Sequence, residues 1–177
     1  GSDFCCKWTT HIKRNWLKTE KTQALDPDLH FETKIVQFGC IIPKNDNFSV
    51  RTRKDSPKEI RCPGIYMLSS PSFGIFYVGI NASSNPSYNA GTPQRLRQHA
   101  KKLLGITKGT KQTKKWDEFR HEFFNKDTLD DVEIIFTPYN NCTKKVLVLH
   151  ESCLINRHKP RCNTGWFTGK SGKYTCG

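Results

Sequence analysis

The sequence predicts an α/β (α+β) fold, a small antiparallel β-sheet flanked by helices, with an N-terminal extension of helix and strands. Three observations predict it. Gly64–Leu68 and Ile75–Ile80 are short apolar, aromatic runs either side of a Ser-Ser-Pro-Ser turn cluster, which is the pattern of a β-hairpin. Two amphipathic helical stretches follow, one rich in Lys and Arg and the next in Trp and Phe. A further strand and helix complete the order strand, strand, helix, helix, strand, helix, which suits helices layered on an antiparallel sheet.

Along the chain, Trp8, Ile12 and Trp16 stand four apart with Lys13, Arg14 and Lys18 between them, predicting a short amphipathic helix over residues 8–20 that Asp26-Pro27 ends. His30–Ile42 and Phe48–Arg53 read as strands around Pro43-Lys-Asn-Asp-Asn, so residues 1–62 form an extension or small accessory module. Within it Arg51, Arg53, Lys54, Lys58 and Arg61 suit either phosphate contacts or a solvated edge strand. The main domain spans 63–163. After its hairpin comes a Ser/Asn/Pro/Gly-rich loop, Asn81–Gly91. Thr92-Pro93 then predicts a helix start, with Thr as N-cap and Pro at the first helical position, and Gly105 predicts its end. Trp116, Phe119, Phe123 and Phe124 mark the apolar side of a second helix with acids outside. Val132–Thr137 is a strand stopped by Pro138. Thr143 caps a third helix whose core face is Val146, Leu147, Leu149, Cys153 and Leu154, and Pro160 ends it. Residues 164–177 are a Gly- and Lys-containing tail.

The chain of 177 residues carries a formal net charge of +13, unevenly spread. No acid occurs between Glu59 and Asp117, while Gly91–Lys115 holds eight Lys/Arg and Asp117–Glu133 holds seven carboxylates. A one-sided basic surface is the footprint of a polyanion partner, or else a merely solvated face. No apolar run approaches the ~18 residues of a membrane span, so no membrane partner is expected. No signal peptide is visible, although Gly1-Ser2 reads as an expression remnant. The eight cysteines include no Cys-x-x-Cys pair, and the Cys153, His158, Cys162 spacing matches no common zinc pattern. Asn47-Phe-Ser, Asn81-Ala-Ser and Asn141-Cys-Thr are possible glycosylation sites. Together these leave a secreted, disulfide-held protein binding acidic surfaces as one reading. An intracellular or nuclear location goes with a nucleic-acid substrate.

Several residues have the types and spacing of a phosphate-handling site. Arg95 and His99, four apart on one helix, share a face and can address one phosphate, the alternative being an Arg that is simply solvated. The Arg fork pairs two phosphate oxygens and stays charged. Glu151 lies on the same side of its helix as Leu147 and Leu154, and a carboxylate buried there needs a partner. Either a divalent cation or one of the many Lys/Arg side chains can supply it.

Gly64-Ile-Tyr66 and Tyr77-Val-Gly79, with ten residues between the tyrosines, resemble the paired signature of the GIY-YIG nuclease superfamily. The helix after the second triplet carries Arg95-Leu-Arg-Gln-His99, like the family's Arg followed by His or Tyr. Glu151-Ser-Cys-Leu-Ile-Asn-Arg-His-Lys-Pro-Arg-Cys-Asn163 is similar to its later Glu helix, with Lys-Pro and an Asn twelve residues beyond the Glu. The resemblance covers Pro63–Asn163. Ile80 departs from the usual Lys or Gln, and the Asn81–Gly91 loop is longer than in compact members.

The resemblance implies a GIY-YIG-like sheet and a metal-dependent endonuclease cutting DNA to leave a 5′-phosphate; RNA stays open as a substrate. It implies catalytic roles for Tyr66, Tyr77, Arg95, His99, Glu151 and Asn163, with Mg2+ held at Glu151 and Mn2+ able to substitute. Tyr66 would take a proton from the attacking water, with His99 assisting or substituting and Tyr77 positioning water or phosphate. A free phenol of pKa about 10 needs help to do this, and Arg95 or a metal-linked water would favour the phenolate. Asn163 would pin the backbone or hydrogen-bond network near the site. The basic helix-loop 95–115 supplies the candidate DNA contacts Arg97, Lys101, Lys102, Lys108, Lys111, Lys114 and Lys115, without sequence readout. A small single-site nuclease would cut both strands by dimerising or by acting twice. A catalytically inactive nucleic-acid-binding module of the same fold is the alternative in this line.

Overall fold

A computed structural model describes residues 33–42, 51–139 and 142–163. Strands β1 (Lys34–Gln37), β2 (Gly64–Ser70), β3 (Gly74–Asn81) and β4 (Glu133–Pro138) form one sheet in the order β1-β4-β2-β3, with every neighbouring pair antiparallel. The helices are α1 (Gly91–Leu104), α2 (Lys114–Lys126) and α3 (Lys144–His158). The architecture is therefore mixed α/β, a four-stranded antiparallel sheet flanked by helices, as the order of elements predicts.

Apolar alternation in β2 and β4 sends side chains to both faces of the sheet, and each face has its own core. Tyr66, Leu68, Phe76, Ile134 and Phe136 pack with Leu96, Ala100 and Leu103 of α1 and with Trp116, Phe119 and Phe123 of α2. On the opposite face Ile65, Met67 and Val78 meet Leu147, Cys153, Leu154 and Ile155 of α3. Covered on both sides, β2 is buried at every residue but Ser69. Between β2 and β3 the register runs Leu68 opposite Tyr77, then Ser69 opposite Ile75, which leaves Phe76 as an extra residue in a β-bulge. Phe76 and Tyr77, although consecutive, thus both pack on the α1–α2 side.

The helix ends have local causes. Gly105 closes α1 at φ 77°, where a side chain would be strained, and its N–H returns to the last turn. Arg120 of α2 donates to the Lys102 and Leu103 carbonyls at 2.7 and 3.2 Å, adding a side-chain donor to the last turn of α1. Thr143 caps α3 by accepting from the Val146 N–H, and Lys159 turns the chain at φ 47° before Pro160.

Four sequence expectations need correction. Thr92 does not cap α1: it lies in the first turn, its buried hydroxyl has no hydrogen-bond partner, and Ala90 precedes the helix without a side-chain cap. Phe124 is exposed rather than core, since it follows Phe123 by a rotation of about 100° on the helix. The strand expected over His30–Ile42 is confined, where described, to Lys34–Gln37, and a 3-10 turn at Phe38–Cys40 buries Phe38. The described part of the Phe48–Arg53 strand, residues 51–53, is irregular. There Thr52 is buried and donates to the Pro93 carbonyl, while Arg53 grips Asp55 through two hydrogen bonds of 2.9 and 2.8 Å. Arg61 likewise donates to the Lys54 carbonyl, so these two basic groups hold the approach to β2 together. The helix expected at residues 8–20, the sequons at Asn47 and Asn141 and the 164–177 tail lie outside the described residues.

Candidate active site

Gly79 makes room for Tyr66, and Gly64 for the approach of β4. Tyr66 stands opposite Gly79, and a Cβ at Gly79 would lie 2.5 Å from both Cζ and Oη of Tyr66. At Gly64 a Cβ would lie 2.5 Å from the Thr137 carbonyl and 2.6 Å from the Phe136 ring, so only hydrogen lets β2 close on β4. Tyr77 reaches Tyr66 diagonally, with ring centroids 6.2 Å apart.

Helix α1 brings His99 to this pair. Its Nε2 is 2.8 Å from the Tyr66 hydroxyl, and its ring centroid is 4.2 Å from that of Tyr77. Trp116 of α2 lies nearly parallel to the imidazole, 8° off at 5.4 Å, and 5.2 Å from the Tyr77 ring. Its place in a run of aromatics at helical spacing marks Trp116 as core; nothing in the sequence marks it as the shelf under His99. Tyr66 is 1% exposed and His99 5%, whereas Tyr77 is half-buried and Arg95 is exposed.

Burial sets the electrostatics. The Tyr66 phenol is pushed well above its usual range by desolvation and by Tyr77, with Glu151 adding to the rise and Arg95 opposing it. Tyr77 is pushed up to about 12 by the same first cause, with Glu151 next and Arg95 again opposing. The expected pull of Arg95 toward a phenolate is present but is not the deciding effect, because the loss of hydration outweighs it. His99 is held neutral by burial and by the Lys102 and Arg95 charges. Its Nδ1 is buried without a hydrogen-bond partner.

Glu151, on α3, belongs electrostatically to the same group, because its charge bears on both phenols. Burial raises its carboxyl to about 7, against the pull of Arg95. No salt bridge or hydrogen bond among the described residues takes up this carboxylate. The described residues hold no group of three or more His, Cys, Asp or Glu that could ligate a metal. A half-buried carboxylate without a protein partner fits a cation that keeps most of its waters and takes further oxygens from a phosphate.

Asn163 stands apart in role. Its Oδ1 accepts from the Val78 N–H and its Nδ2 donates to the Val78 carbonyl, both at 2.9 Å. The Cys162 N–H meets the Phe76 carbonyl at 2.9 Å. The side-chain amide thus imitates a neighbouring strand and fixes β3 between the bulge and Gly79. It pins the backbone beside the site, the part expected of it from the sequence.

The basic candidates divide. Lys108, Lys111 and Lys114 are exposed, Lys101, Lys102 and Lys115 half-buried. The half-buried Arg97 has an Nε that is buried and unpartnered. Arg95 lies in the first half of α1 and Lys108 beyond its C-terminus, so the two ends of the stripe stand on the order of 15–20 Å apart. The loop between is ordered by Asp117, which accepts from the Gly109 N–H, the Thr113 hydroxyl and Arg120. Asn81 is buried and its amide donates to the Cys62 and Ser83 carbonyls, leaving no folded-state access for a glycan. Cys40, Cys62, Cys142 and Cys162 are free thiols, whereas Cys153 is disulfide-bonded. No helix among the described residues is long and apolar enough to cross a membrane.

Comparison with protein-family models, with curated proteins and with solved structures finds no match to this chain.

Proposed function

We propose that this chain is a divalent-metal-dependent endonuclease of the GIY-YIG type, hydrolysing phosphodiester bonds of DNA. The observation that supports it best is the gathering of Tyr66, Tyr77, His99, Arg95 and Glu151, from two strands and two helices, into one hydrogen-bonded and electrostatically coupled group. Arg95, exposed at the edge of that group, receives the scissile phosphate with its fork. Glu151 would hold Mg2+ (or Mn2+), which would supply Lewis-acid stabilisation of the negative charge that builds on the phosphoryl group.

Tyr66 and His99 act as one base. As water attacks phosphorus, its proton passes to the Tyr66 oxygen while the phenolic proton moves to His99 Nε2. The new P–O bond forms, the P–O bond to the 3′ oxygen breaks, and that oxygen takes a proton from solvent, leaving a 5′-phosphate. This route requires no standing phenolate, in keeping with a Tyr66 held strongly neutral. Tyr77, the more exposed phenol, orients the water. Lys108, Lys111 and Lys114 follow the sugar-phosphate backbone away from the site.

The test is nicking of supercoiled plasmid with and without magnesium, beside a DNA-binding assay. Arg95→Ala and Glu151→Ala should each cut about 100- to 1000-fold more slowly while binding DNA nearly as the parent does. Parental cutting by either variant sinks the assignment.

A further inference from the structure

Arg95, His99 and Lys102 fall on one stripe of α1, at spacings of four and three residues. The Lys102 ammonium lies over the Trp116 ring, 6.0 Å from its centroid, and Trp116 is the ring that stacks on His99. Lys102 is also half-buried, unlike Lys108, Lys111 and Lys114, which stand in solvent. An ammonium drawn onto an aromatic face beside the imidazole, rather than extended into water, is poorly placed for a mobile backbone contact.

We propose that Lys102 is a positioning residue of the catalytic group: through Trp116 it seats the His99 imidazole, and through its charge it keeps Nε2 free to accept the Tyr66 proton. This rests on the nuclease reading above. The groups facing His99 are Tyr66 from β2, Tyr77 from β3, Trp116 from α2, and Arg95 and Lys102 from α1. Of these only the two α1 residues are cationic, and both disfavour a proton on the ring. Lys102 adds its effect without having to touch DNA. Its own proton affinity is lowered by burial, the cost of the position it occupies.

The experiment compares the parent, Lys102→Met and Lys102→Arg by NMR titration of His99 in the DNA-free protein, and by the pH profile of plasmid nicking. In Lys102→Met the His99 proton affinity should rise by about tenfold, the order expected for removing one nearby charge. The acid limb of kcat should move to higher pH by the same amount, and Lys102→Arg should restore both. An unmoved His99 titration in a folded Lys102→Met, with only KM and the salt dependence altered, overturns the proposal and makes Lys102 an ordinary phosphate contact. If His99 moves but no variant, nor the parent, nicks DNA under any divalent ion, the Lys102–His99 coupling stands and the nuclease reading falls.

Discussion

Replacing Glu151 with Gln should make the protein more stable above neutral pH, and the reason is the environment of one carboxyl. Burial raises Glu151 from an ordinary 4.5 to about 7. A raised carboxyl contributes stability that is fully present below the unfolded value and lost as pH climbs through the folded one. Between pH 4.5 and 7 the unfolded chain has released this proton and the folded chain has not, so stability falls across that window. At about 1.4 kcal/mol per tenfold change in proton affinity, the full loss by pH 8 is about 3 kcal/mol. Gln keeps the shape and never ionises. Urea denaturation should therefore show Glu151→Gln equal to the parent near pH 4.5 and more stable at pH 8 by up to about 3 kcal/mol, a midpoint shift of about 1–2 M. Magnesium should restore part of the loss in the parent at pH 8 and leave Glu151→Gln unmoved. Equal midpoints at pH 8 would refute the account, because a carboxylate with a hidden partner pays no such penalty.

Three further outcomes follow from the geometry. Gly79→Ala places a methyl on the Tyr66 ring, so it should cost about 1–3 kcal/mol of stability and lengthen the Tyr66–His99 bond, with cleavage lost first; parental activity in this variant would show that the bond is dispensable. Asn163→Ala strips both partners from the backbone of Val78 and should cost about 1–3 kcal/mol, read as lost amide protection at Val78 in hydrogen exchange; retained protection would mean another group closes that edge. Replacing Lys108, Lys111 and Lys114 together with Ala should flatten the dependence of log K on log salt by up to about 3 if each meets one phosphate. An unchanged slope would remove the loop from the DNA path.

Much of this was legible in the residues because the signals are local. The Ser-Ser-Pro-Ser turn between two aromatic runs gives the hairpin, Gly105 gives the end of α1, and Thr143 gives the start of α3. That Tyr66, His99 and Glu151 bear on one another was suggested only by the resemblance, because no periodicity links β2, α1 and α3. What stayed hidden depends on distance and burial. A Trp beneath a His is indistinguishable in sequence from any core Trp, and the rise in the Tyr66 pKa needs to be weighed against Arg95 in three dimensions. Thr92 failed as a cap because the chain enters the helix through Gly91 at φ 60°, a conformation that an N-cap rule does not foresee. The bulge at Phe76 was equally invisible, since it shifts register without altering composition.

The hold of Asn163 on Val78 ties β3 to a residue 85 positions later in the chain. All five groups of the proposed site lie upstream of residue 152, whereas the backbone of Phe76 and Val78 beside Tyr77 is met by residues 162 and 163. A nascent chain halted at the end of α3 would carry all five side chains and lack these three hydrogen bonds. The stretch after α3, and not the last of the five side chains, is what closes that length of β3.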